Sequence, residues 1–82
     1  MQGNRFSQVV LLSLREMGDR PMPDTVLRSA IRISIQPSPT EADMTAKLRQ
    51  MEEQELILGV DDQVLGRFWG LTTTGKQKAN QL

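Results

Sequence analysis

Residues 38–58, SPTEADMTAKLRQMEEQELIL, constrain the fold more than any other stretch of this 82-residue chain. The Ser38 hydroxyl can accept from an orphan backbone N–H of a first helical turn. Pro39 follows at a position where a missing N–H costs nothing. Glu41, three residues after Ser38, completes a capping box and sets a carboxylate at the positive end of the helix dipole. These signals predict a helix over 39–54. Met44, Leu48 and Met51 recur at i, i+4 and i+7 and form one apolar stripe, which is the core-facing side of an amphipathic helix. Ala42, Asp43, Ala46, Arg49, Gln50 and Glu53 occupy the opposite face, with Thr40 and Lys47 on the flank. At Glu55 the period changes, and Leu56, Ile57, Leu58 and Val60 predict a strand.

The rest of the chain supplies partners for that helix. Asn4 is placed to cap a first helix over Arg5–Met17, stopped by Gly18. Phe6, Val9, Val10, Leu14 and Met17 share one face of it. Leu12 lies opposite and Leu11 to the side, a pattern of a helix either deeply buried or, the reading slightly favoured in so small a domain, shared with a second subunit. Gly18, Pro21 and Pro23 predict a turn over Asp19–Met22. Pro23 and Asp24 then open a second helix that buries Val26, Leu27, Ala30 and Ile31 and sets Arg28 and Arg32 on an exposed flank. A connection of about six residues leads to Ser38, looser than the shortest helix-turn-helix link. Beyond the central helix, Leu56–Val60 and Leu65–Leu71 predict a hairpin with Asp61, Asp62 and Gln63 at its tip. Phe68 or Trp69 anchors the core. Thr72 or Thr73 caps a short last helix that turns Ala79 inward. The expectation is one domain over 1–82, of α+β class and mostly helical.

Composition excludes several functions. The chain has no cysteine and no histidine, so thiolate metal sites, disulfides and the commonest general base are absent. The longest apolar run, Val9–Leu12, is four residues, far short of the ~20 that a membrane span needs. No nucleophile–base pair, Gly-rich phosphate loop or metal-ligand spacing is present. These observations predict a cytoplasmic protein that is not an enzyme, with no cofactor, metal or small-molecule substrate.

Two segments resemble a known family. MTAKLRQMEEQELI is similar to a recognition helix that closes on apolar residues, here Leu48, Met51, Leu56 and Ile57, and runs into a first wing strand. FWGLTTTGKQKA resembles the aromatic-x-Leu-Thr-x-x-Gly-basic signature that follows the wing in MarR- and PadR-type bacterial regulators, and Trp69, Leu71, Thr72, Gly75 and Lys76 match it. One departure is Glu55, which stands where the family has glycine and implies a tighter or differently angled junction. The resemblance implies a winged helix-turn-helix: a three-helix core, a two-stranded wing and a short C-terminal helix. It also implies a bacterial or phage transcription regulator that binds double-stranded DNA as a homodimer, here through the first and last helices. Thr40, Asp43, Ala46, Lys47 and Gln50 would face the major groove. Gln50 would pair with adenine, and Lys47 or Arg49 would reach a guanine edge or a phosphate. Arg28, Arg32 and Arg67 would hold phosphates.

Charge opposes that expectation. Ten basic and ten acidic residues cancel, but unevenly along the chain. Residues 40–62 carry seven acids (Glu41, Asp43, Glu52, Glu53, Glu55, Asp61, Asp62) and two bases (Lys47, Arg49), a net −5. A groove-facing helix and wing of that sign lose the phosphate attraction on which nonspecific affinity rests. The alternative is a protein-interaction module of the same fold, whose acidic third helix docks a basic or helical partner, with Leu11 or Leu12 as an apolar anchor.

Overall fold

The computed structural model describes the backbone of residues 2–18 and 20–82, and the side chains from Arg5 onward except residue 19. The order is α1 (Gln2–Glu16), β1 (Met22–Pro23), α2 (Asp24–Ser34), α3 (Glu41–Glu53), β2 (Ile57–Asp62), β3 (Gly66–Leu71) and α4 (Thr73–Asn80). The described residues thus form an α+β fold of four helices and one antiparallel sheet with strand order β1-β3-β2. Trp69 pairs with Met22 on one side and with Gly59 on the other.

The core is one cluster. Phe6, Val10, Leu11 and Leu14 of α1 meet Leu27 and Ile31 of α2, Met44, Leu48 and Met51 of α3, and Ile57, Trp69 and Ala79. The α3 stripe and the inward Ala79 therefore lie where the periodicity put them. Polar ties close the helix ends: Arg5 donates to the Ser34 carbonyl at 3.1 Å and Arg15 to the Ala79 carbonyl at 3.0 Å. Both acceptors are carbonyls of a last helical turn; that of Ala79 also accepts from the Leu82 N–H at 3.2 Å.

Several expectations need correction. Leu11 is buried, only 3% exposed, so it is core and not an anchor for a partner; Leu12 is half-buried. Val26 is 50% exposed, because α2 buries a narrower stripe than expected. Helix α1 starts at Gln2, ahead of the expected cap, and the Asn4 side chain lies outside the described residues. The expected turn at Asp19–Met22 begins outside them too. Its last residue, Met22, is strand, held by pairing with Trp69. Pro23 suits this sheet edge, where no ladder N–H is required.

Helix α3 begins two residues later than its first start signal. Thr40 is the N-cap and its Oγ1 accepts from the Asp43 N–H at 3.1 Å. Ser38 instead donates to the Arg32 carbonyl at 3.0 Å, closing the end of α2. The sequence holds two overlapping hydroxyl-to-acid boxes, Ser38–Glu41 and Thr40–Asp43, and the demand of α2 for a partner decides between them.

The α3–β2 junction explains the Leu-Thr-x-x-Gly segment physically. The Glu55 N–H donates to the Glu52 carbonyl at 3.0 Å and the Leu56 N–H to the Met51 carbonyl at 3.1 Å, the pattern of a Schellman closure. Glu55 occupies the left-handed region with φ 61°, a turn that glycine adopts most readily. The Thr72 hydroxyl donates to the Glu55 carbonyl and accepts from the Gly75 N–H at 2.9 Å. A Cβ on Gly75 would lie 1.9 Å from the Leu56 carbonyl oxygen; only glycine lets α4 cross there.

Candidate nucleic-acid interface

The outer face of α3 is solvent-exposed at Ala42, Asp43, Ala46, Arg49, Gln50 and Glu53. Thr40 is spent on the cap. Lys47 is half-buried and leans over the Phe6 ring, 5.3 Å from its centroid. That cation–π contact draws Lys47 toward α1 and away from the outer face. Of the residues expected to read bases, Asp43, Ala46 and Gln50 stand together, and Arg49 joins them with no ion pair among the described residues.

The three arginines expected to hold phosphates are all engaged within the chain. Arg28 Nε donates to Asp24 Oδ2 at 2.8 Å, and Arg28 Nη1 donates to Glu41 Oε2 at 2.8 Å. Its Nη2 donates to Thr45 Oγ1 at 3.0 Å, and its side chain is only 16% exposed. Arg32 also pairs with Glu41. Arg28 is therefore a clamp between α2 and α3 and not the exposed flank expected of it. Asp24 accepts from Trp69 Nε1 as well, at 2.8 Å, so one carboxylate ties α2 to the sheet core.

Arg67 belongs to a second cluster. It stacks on Trp69, with its guanidinium carbon 4.5 Å from the ring centroid, and pairs with Glu52 at 3.2 Å and Asp61 at 3.3 Å. A Cβ on Gly59 would lie 2.4 Å from Arg67 Nη2, so Gly59 is the notch through which Arg67 crosses β2. Glu52 Oε2 also accepts the Gly59 N–H at 3.1 Å. That bond occupies an outward-facing N–H of the edge strand β2, which blunts it against pairing with another chain.

Charge settles what these clusters can do. Asp24, Glu41, Glu52 and Asp61 set four carboxylates against three guanidinium groups. A single exposed pair is worth only about 0–1 kcal/mol, so Arg32 and Arg67 could turn outward, whereas Arg28, 16% exposed, stays in its clamp. The carboxylates would then stand beside the incoming phosphate, and local charge would still be negative. Asp43, Glu53, Glu55 and Asp62 add four more exposed acids on α3, its end and the hairpin.

The hairpin tip is shaped by Asp62. Its Oδ1 accepts from the Val64 N–H at 2.8 Å and the Leu65 N–H at 2.9 Å, and these two bonds hold its carboxyl below the usual carboxylate range. The tip loop is 63–65, between the paired residues Asp62 and Gly66, two residues further along than the expected Asp61–Gln63. Val64 and Leu65 are 89% and 70% exposed.

Sequence reasoning missed Asp24, Glu41, Glu52 and Gly59 as members of these clusters. The Asp24–Arg28 spacing of four was a readable helix pair. The contacts of Glu41 and Glu52 span 13 and 15 residues and leave no local signal. Among the described residues, no group of three or more acids is placed to hold a metal ion, and no helix is long and apolar enough to cross a membrane. The chain matches no protein-family model, no curated protein and no solved structure.

Proposed function

We propose that the chain is a winged helix-turn-helix module that engages a basic segment of a partner protein through α3 and the inner side of its wing. The element order and the β2–β3 hairpin after α3 support the winged-helix reading. The observation that carries the functional part is the capture of Arg28, Arg32 and Arg67 by four carboxylates. Counterion release needs cations that are available to phosphates, and this face offers a surplus of acids. Ala42 and Ala46 leave the exposed side of α3 low enough for another backbone to approach.

A second reading, major-groove insertion of α3 into duplex DNA, is favoured by one observation. Arg49 and Gln50 are exposed beside Ala46, with no ion pair among the described residues to restrain the arginine. One experiment separates the two. Fluorescence anisotropy of a labelled mixed-sequence duplex and of a labelled basic helical peptide is measured at about 50 and about 200 mM salt. The peptide is expected to bind at the lower salt and the duplex to stay free, with Asp43→Lys and Glu53→Lys abolishing peptide binding. Duplex binding that weakens steeply with salt, and is lost in Arg49→Ala, refutes the protein-docking reading and establishes the DNA one.

A further inference from the structure

A groove of about 590 Å³ lies between α1, α3 and the end of α4. Its floor is apolar but already closed: Phe6, Leu11, Met51 and Leu56 are each no more than 7% exposed. No seat for a large apolar side chain remains, so an occupant must be recognised by the polar rim. That rim is cationic. Lys47 and Lys78 line the groove, and no aspartate or glutamate does. Lys47 is steadied over the Phe6 ring, and neither lysine has an ion pair among the described residues. With a carboxylate counted on Leu82, the last residue of the sequence, the lining stays positive by two to one.

Four glutamines complete the rim: Gln8 from α1, Gln50 and Gln54 from the end of α3, and Gln81 after α4. All four are exposed, and their side-chain amides make no hydrogen bond among the described residues. Each amide both donates and accepts, which matches the alternating groups of a peptide main chain. We infer that this groove docks an acidic segment of a protein partner, with its main chain along the glutamines and its carboxylates at Lys47 and Lys78. Charge decides against a nucleic-acid backbone. A continuous line of phosphates would run from the groove onto Asp43 and Glu53, exposed on the same helix, whereas a peptide places its carboxylates singly.

The groove is distinct from the face proposed for a basic segment. Glu41 and Glu52 engage α2 and the wing on one flank of α3, and the groove opens on the other, toward α1 and α4. Docking there needs nothing from the basic segment. Because the floor is closed and exposed pairs are individually weak, the contact is weak, sensitive to salt and governed by the sign of the charge.

The test measures fluorescence anisotropy of a short labelled peptide of alternating glutamate and alanine, and of its glutamine–alanine counterpart. At about 50 mM salt the glutamate peptide is expected to bind saturably and the glutamine peptide to stay free, and about 200 mM salt should weaken the binding. Lys78→Glu should weaken it about tenfold or more, because an attraction becomes a repulsion. Arg20→Glu makes the same charge change on an exposed residue outside the groove and should leave binding unchanged. Lys78 is exposed, and a far-UV spectrum like the parent's confirms that the variants fold. In amide NMR spectra of the parent, the side-chain resonances of Gln8, Gln54 and Gln81 should shift together as the peptide is added. Equal binding of the two peptides, equal loss in Lys78→Glu and Arg20→Glu, or no binding at low salt overturns the inference. So does a labelled single-stranded oligonucleotide that binds the parent but not Lys78→Glu while the glutamate peptide stays free, which assigns the groove to nucleic acid. No basic peptide enters these measurements, so their failure leaves the basic-partner reading standing.

Discussion

Glu55→Gly tests the physics of the α3–β2 junction. The left-handed region that Glu55 occupies at φ 61° costs a non-glycine residue about 1–2 kcal/mol. Glycine removes that cost but gains unfolded-state entropy worth about 0.4–1 kcal/mol. Both junction hydrogen bonds come from backbone N–H groups, and the Thr72 hydroxyl reaches the Glu55 carbonyl. None of these contacts depends on the side chain, so the substitution keeps them. The net backbone gain is therefore about 0.5–1 kcal/mol, or a melting shift of about 2–8 °C for a domain of this size. A second contribution is charge: a carboxylate at the C-terminal end of a helix is unfavourable by about 0.3–1 kcal/mol. Glu55→Gln isolates it, since glutamine loses the charge and keeps the left-handed penalty. Thermal and urea unfolding followed through Trp69, the single tryptophan and only 3% exposed, reads all three proteins. Glu55→Gly is expected to exceed Glu55→Gln, which is expected to match or slightly exceed the parent. Equal gains in both variants, or none in Glu55→Gly, refute the backbone argument.

Other substitutions probe the remaining contacts. Gly75→Ala should destabilise by about 1–3 kcal/mol in urea unfolding through overpacking against the Leu56 carbonyl, although helix propensity alone forecasts a gain of about 1 kcal/mol. Asp24→Ala strips both Arg28 and Trp69 Nε1 of their shared acceptor. It should cost about 1–3 kcal/mol and alter the tryptophan emission of the folded protein; an unchanged spectrum would show that the Trp69 bond is not made. The folded Asp62 carboxyl titrates below its ordinary value because of its two backbone donors. The stabilisation it gives the tip is thus present above the ordinary carboxylate range and lost as pH falls through the lowered value. The Val64 and Leu65 amide shifts should follow that titration, and Asp62→Asn should remove the pH dependence.

How far the sequence revealed the fold depends on the range of the forces involved. The Met44–Leu48–Met51 stripe and the inward Ala79 arise from periodicity and were legible, and the Thr72 cap was legible as one of two candidates with Thr73. The start of α3 was misread: its local signals pointed to Ser38, and the cap is Thr40. What decided it was the open end of α2, six residues from Ser38. Strand β1 could not be read, because two residues carry no alternation; Met22 is strand only through Trp69, far along the chain. Leu11 looked peripheral on a single helical wheel, yet the core wraps α1 widely enough to bury it.

The candidate site shows the same limit in electrostatic form. Total charge is local information, and the net −5 of residues 40–62 could be counted directly. Which carboxylate neutralises which guanidinium is not local: Glu41 reaches back to Arg28 and Arg32, and Glu52 reaches Arg67 through the notch at Gly59. Counting arginines on an expected phosphate-facing surface therefore overstates its attraction for phosphate. The quantity that matters is the charge left after the chain has satisfied itself. Here that residue of charge is acidic on the face of α3 and the inner side of the hairpin.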